Sequence, residues 1–274
     1  MPRAFVAIQD VRRNRYRLLM LLTSLLFLLA PGGSTLGQKQ APIQSQPQSQ
    51  KEEQILLDAG RKAFEQGHYD EAIRVYQQLL VRTAKTPKTA AVVHLQLGNV
   101  YMAQRKFDRA CADFQQATAL DPNNAEARNS LGESLGELHQ YASALEAFNR
   151  AVALDGNLLR ARYNIGITYG RLGNLKYSEA VFRWLVRDYP DYDLGYDGLA
   201  VALTKSGQAK EAIPFHKKAI SLSPKEPSFY YNLALSYLVL GDTAGAVEQQ
   251  KKLQELAPEV ASYLANVIVK HQLR

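Results

Sequence analysis

The chain has 274 residues, of which 46% are apolar, and a single cysteine, Cys111; this suffices for a sizeable core and excludes a small fold stapled by intrachain disulfides. Its net charge of +7 is concentrated at the start: residues 1–37 carry Arg3, Arg12, Arg13, Arg15 and Arg17 against Asp10, which leaves +3 for the other 237 residues. So modest a surplus, without a basic stripe interleaved with aromatics, argues against a nucleic-acid partner.

Residues 1–37 have the order of a secretory signal. The arginines end at Arg17, thirteen mostly apolar residues follow from Leu18 to Ala30, and then come Pro31, Gly32, Gly33 and small residues at 34–37. Thirteen helical residues span roughly 20 Å, short of a bilayer core of about 30 Å. We therefore expect an exported protein, periplasmic or secreted. The competing reading is an uncleaved N-terminal membrane anchor at residues 18–30, and membrane association is expected only if that segment is retained. Residues 38–52 are rich in Gln, Ser and Pro and are expected to form a disordered linker, since they cannot bury enough surface to offset their ordering entropy.

From residue 53 the chain repeats. Gly98, Gly132 and Gly166 are spaced 34 residues apart, and Ala200 and Ala234 continue the series. A second column of small residues runs through Ala72, Ala110, Ala144, Ser178, Ala212 and Ala246, and an aromatic column through Tyr76, Phe114, Phe148 and Phe182 is continued by His216 and Gln250. Six units result: 53–86, 91–124, 125–158, 159–192, 193–226 and 227–260. Each reads as two helices, with Gly67, Gly173, Gly207 and Gly241 at the turn between them, where a helix end favours a left-handed residue. The small columns predict close approach of helix backbones, with aromatic rings filling the space beside them. Unit one lacks a closing proline and is followed by four extra residues, 87–90, which predicts a longer or looser connection to unit two. Residues 261–274 are expected to form a helix that caps the array.

These units resemble tetratricopeptide repeats, best in LQLGNVYMAQRKFDRACADFQQATALDPNN and YNLALSYLVLGDTAGAVEQQKKLQELAP. Ser178 departs from the usual alanine, and Gly156 from the usual proline. The resemblance implies an all-α fold, a right-handed α-solenoid of stacked antiparallel helix pairs, in which the first helix of each pair lines a concave groove. The candidate partner-binding residues on that face are Arg61, Asn99, Met102, Asn129, Arg160, Tyr163, Ile167, Arg171, Asp197, Tyr231, Leu235 and Leu238, with Glu137, Val201 and Lys205 on the same face. Tyr163, Tyr231, Arg160 and Arg171 are of the types enriched at binding hot spots. The clamp that holds paired carboxylates in some relatives is incomplete: Asn99, Arg160 and Asn164 fit parts of it, but Leu95 and Ser130 stand where Lys and Asn are expected.

Catalytic groups do not converge in the sequence. His68, His94, His139, His216 and His271 fall in different columns, no metal-ligand spacing occurs, and no glycine-rich loop suits a phosphate. Cys111 sits beside a packing alanine and reads as an inert buried thiol. We therefore expect no cofactor, no metal and no enzyme activity. The expected function is a scaffold outside the cytoplasm that holds a protein or peptide partner; the alternative is a membrane-anchored structural subunit of an envelope or secretion complex.

Overall fold

The computed structural model describes residues 48–84 and 86–273, and among them it contains thirteen helices and no strand. In chain order these are α1 Gln48–Glu65, α2 Tyr69–Arg82, α3 Pro87–Ala103, α4 Phe107–Leu120, α5 Ala125–Glu137, α6 Tyr141–Leu154, α7 Leu159–Arg171, α8 Leu175–Asp188, α9 Asp193–Lys205, α10 Ala209–Leu222, α11 Pro227–Val239, α12 Thr243–Leu256 and α13 Pro258–Gln272. They form two compact units, divided within α5 between Ser134 and Leu135. Each unit is a stack of antiparallel helix pairs, the α-solenoid class, in which a helix packs on its neighbours in sequence. The expected export or anchor segment, 1–37, and residues 38–47 of the expected linker lie outside the described residues. Among the described residues no helix is long and apolar enough to cross a membrane.

Two helix starts differ from the sequence expectation. α1 begins at Gln48, inside the stretch expected to be linker, and Arg82 of α2 holds its first turns through Glu52 at 2.9 Å. The four extra residues 87–90 do not loosen the junction between the first two units; they add a turn to α3, whose first position is Pro87. Proline suits that position because its fixed φ is helical and its missing N–H would have lacked a partner anyway. The turn before it is tight, with Thr83 fully buried and its hydroxyl donating to Leu79 O at 3.0 Å.

The glycine column has a different packing role from the one the sequence suggested. The space it leaves is filled by the aromatic ring sixteen residues later, not by a second backbone. A Cβ added at Gly98 would lie 2.4 Å from the Phe114 ring, one at Gly60 would lie 2.4 Å from Tyr76, and one at Gly166 would lie 2.6 Å from Phe182. Phe182 is enclosed from both sides, since Gly198 of the next first helix approaches it equally closely. Where the chain has Ala200 in the glycine column, the aromatic is gone and the smaller His216 takes its place.

The helix-to-helix turns share one left-handed position. Gly67, Gly173, Gly207 and Gly241 occupy it with φ between 75° and 84°, and Arg105 and His139 occupy it with φ of 60° despite having side chains. The last helix, α13, buries Val260, Ala261, Leu264 and Ile268 against Tyr231, Ala234 and Leu238 of α11. It thus stands where the first helix of a further repeat would stand.

Candidate functional site

A cavity of about 360 Å³ opens in the second unit across the first helices of three successive repeats, α5, α7 and α9. Its walls are Ile167 and Val201; its floor comes from the second helix α8, through Ser178 and Phe182. The space exists because of missing side chains. Position 136 belongs to a 34-residue column that reads Met102, Gly136, Gly170, Thr204, Leu238. The two glycines are consecutive, and both line the cavity. A Cβ at Gly136 would touch only Arg171 Nη1 at 3.8 Å, and one at Gly170 would come 3.3 Å from Ser178 Oγ.

Charge is unevenly distributed around the rim. Arg171 is committed to the α5 wall: Nη2 lies 3.6 Å from Glu137 Oε1, and Nη1 donates to Gly136 O at 3.3 Å. Lys205, on the α9 side, is exposed and has no acidic partner among the described residues. His139 sits on the rim in its left-handed conformation, with Nδ1 2.7 Å from the Tyr141 hydroxyl. A side chain there costs roughly 1–2 kcal/mol of backbone strain, which the repeats with glycine avoid. Ser178 is 2% exposed, and its hydroxyl makes no hydrogen bond among the described residues although it lines the cavity.

A second polar cluster lies nearby and is sealed. His216 Nδ1 donates to Asp197 Oδ1 at 2.9 Å, His216 Nε2 lies 3.0 Å from Ser236 Oγ, and Asn232 Nδ2 donates to Asp197 Oδ2 at 2.8 Å. The Asp-His-Ser order is that of an acyl-transfer triad. Here His216 and Ser236 are wholly buried and Asp197 is 3% exposed, while Ser236 also meets Thr204 Oγ1 at 2.7 Å. No substrate reaches such a hydroxyl. The cluster joins α9, α10 and α11, with hydrogen bonds at the position where the first four repeats have an aromatic ring.

Models of the tetratricopeptide repeat match residues 61–91, 95–158, 195–226 and 227–260, more than half of the chain. The chain belongs to the tetratricopeptide repeat family. Among solved structures, MamA is 26% identical with a TM-score of 0.54, over 65% of this chain and 96% of that one. A tetratricopeptide repeat protein from Parabacteroides merdae is 18% identical with a TM-score of 0.69, over 81% of this chain and 88% of that one. PilW, a type IV pilus biogenesis factor, is 23% identical with a TM-score of 0.66, over 78% and 99%. The last two likenesses show the fold alone. No curated protein matches the sequence. Tetratricopeptide repeats are interaction modules that bind protein or peptide partners, and the fold carries no chemistry of its own.

The structure brings few of the sequence-predicted contact residues of this tetratricopeptide repeat protein together. Ile167 and Arg171 line the cavity, as do Glu137, Val201 and Lys205 from the same face. Tyr163 is half-buried, its ring 5.6 Å from Phe182 and 6.5 Å from Tyr192. Arg160 is half-buried on α7, and Leu235 packs against the core shared with α13. In the first unit, Asn99 and Met102 are half-buried on α3, and Arg61 reaches Asp58 at 3.8 Å.

Four residues expected to face a partner are buried instead. Asn129 is fully buried and donates to Glu133 at 2.8 Å, and Asp197 belongs to the sealed cluster. Tyr231 and Leu238 are covered by α13, with the Tyr231 and Tyr263 rings 6.2 Å apart, so both belong to the core and not to the groove. Sequence reasoning considered first helices only and therefore missed the α8 floor. The departure of Ser178 from its alanine column and the paired glycines at 136 and 170 were the available signals. Cys111 is 8% exposed, and burial pushes its thiol pKa up, opposed by a hydrogen bond from Ser134, as befits an unreactive thiol.

Proposed function

We propose that this chain is a non-enzymatic scaffold acting outside the cytoplasm, and that it binds an extended protein or peptide segment across α5, α7 and α9. The observation that carries this reading is the cavity itself. Three successive first helices open a mostly apolar hollow where other repeats place Met102, Thr204 and Leu238. Pockets of this kind, apolar with a few placed polar groups, are where ligands bind. The signal-like order of residues 1–37 supports the compartment in this reading.

Two measurements test the proposal. A photo-crosslinking amino acid at Val201, within the cavity, should give a discrete adduct in cells, whereas the same probe at exposed Lys217 on α10 should not. Equal adducts from both positions, or none from Val201, would remove the cavity as the contact site. The N-terminal sequence and mass of the native protein, with soluble and membrane fractions compared, test the compartment. A start near residue 38 in the soluble fraction fits a free exported scaffold. An intact Met1 in the membrane fraction indicates the anchored structural subunit instead.

A further inference from the structure

We infer that the cavity is a receptor for one tyrosine side chain of a partner segment, with a carboxylate of the same segment seated on Lys205. This deepens the scaffold proposal and rests on it.

The body of the ligand is set by the walls. Ile167, Val201 and Phe182 offer an apolar slot between α7 and α9, and Gly136 and Gly170 keep it open. A volume of about 360 Å³ admits an aromatic side chain together with its flanking backbone, at the small end of ligand pockets. The far end of the slot is not apolar. Ser178 stands where five other repeats have alanine, it is 2% exposed, and its hydroxyl has no protein partner among the described residues. That hydroxyl opens on the cavity and is not sealed from water, so an occupant that displaces the water there must offer a hydrogen-bonding group at its tip or leave the hydroxyl unsatisfied. A phenol meets both demands at once: an apolar ring for the walls and an O–H for Ser178 Oγ.

The charge requirement comes from the rim. Glu137 and Arg171 neutralise one another at 3.6 Å, which leaves Lys205 as the uncompensated charge on the α9 side. An acidic residue close to the tyrosine satisfies it, whereas a basic one meets repulsion. The commitment is therefore to a segment with tyrosine and Asp or Glu one or two residues apart.

The test uses a random peptide library displayed on phage and selected on the full chain. Selected peptides are then measured by fluorescence polarisation against three variants. Gly136→Met refills the column with the residue found at Met102, and Ser178→Ala restores the residue of the other five repeats, so both are compatible with the fold. Lys205→Gln removes the rim charge. The expected result is peptides enriched in tyrosine next to an acid. Their affinity should fall at least about thirtyfold with Gly136→Met and about fivefold with Ser178→Ala, as for losing a buried anchor and one hydrogen bond. It should fall about threefold with Lys205→Gln, the difference vanishing at high salt. A peptide with phenylalanine for tyrosine should lose about fivefold and then be indifferent to Ser178→Ala. Peptides that bind equally to the wild type and Gly136→Met, or that lack the aromatic–acid pair, overturn this inference while leaving the scaffold proposal standing. Failure to recover any binding peptide overturns both.

Discussion

Gly98→Ala should destabilise the protein, and Gly136→Ala should stabilise it, although both replace a glycine of a first helix, Gly98 within α3 and Gly136 in the last turn of α5. Alanine is favoured over glycine in a helix by about 1 kcal/mol, so propensity alone predicts a gain at both sites. At Gly136 that gain should be realised, because the added Cβ meets only the Arg171 guanidinium at an ordinary 3.8 Å. At Gly98 the Cβ would stand 2.4, 2.6 and 2.8 Å from three atoms of the Phe114 ring. Carbon atoms prefer separations of about 3.5–4.0 Å, so the ring must retreat by roughly 1 Å. Phe114 is fully buried and has nowhere to go. Overpacking of this kind costs about 1–3 kcal/mol, which leaves a net loss near 1 kcal/mol once propensity is credited. Thermal unfolding monitored by circular dichroism should show Gly98→Ala lowered by about 2–4 °C and Gly136→Ala raised by a similar amount. Adding Phe114→Leu to Gly98→Ala should recover part of the loss through direct coupling of the pair. If both glycine variants shift in the same direction, the ring-on-glycine account of the column is wrong.

Other expectations follow from single features. Arg105→Gly should raise stability by about 0.5 kcal/mol, since it relieves a left-handed side chain at the loss of a weak contact over the Phe107 ring; an unchanged or lower urea midpoint would count against backbone strain there. Asp197→Ala should cost about 3 kcal/mol because it strands His216 and Asn232 in the core, whereas Asp197→Asn should cost less; urea titration distinguishes the two. Burial pushes the Tyr231 pKa up to about 12 and raises that of Tyr76 as well. An unfolded tyrosine ionises near 10, so the fold favours the protonated phenol, and this part of the stability is complete below about pH 10 and is lost as pH rises towards 12. Denaturant midpoints measured across that range should fall for the wild type and fall less for Tyr231→Phe.

The fold was legible because its signal is summed over repeats. The columns of glycine, small residue and aromatic each recur at one period, and local accidents cannot imitate that. Left-handed turns could be placed from Gly67, Gly173, Gly207 and Gly241, and the same period, shifted by the four extra residues after unit one, points to Arg105 and His139. Contact residues were much less legible. Helical phase assigns a side chain to a face, but whether that face meets solvent depends on what packs over it. Tyr231 and Leu238 share a helix face with potential contact residues and still end in the core, because α13 lies across them. Asp197 reads as a rim charge until His216 and Asn232, 19 and 35 residues further on, are found to enclose it. Such partners belong to other helices, and a single-helix reading does not see them.

In a repeat array, a column that is kept reports on packing, and a column that is broken reports on something the packing does not need. The glycine–aromatic pair is broken at Ala200 and His216, and the structure answers with a sealed hydrogen-bonded cluster that closes the core by other means. The column of Met102 is broken twice in succession, at Gly136 and Gly170, and nothing in the chain among the described residues fills the space. Ser178 breaks its alanine column at the same place, adding a hydroxyl where the fold asks only for a methyl group. Both glycines, in the last turns of α5 and α7, give up helix propensity, and the Ser178 hydroxyl opens on the cavity with no protein partner among the described residues. The chain carries these departures together, at one spot, in three neighbouring helices. That coincidence, rather than the concavity common to such folds, is what separates this cavity from an ordinary gap between repeats.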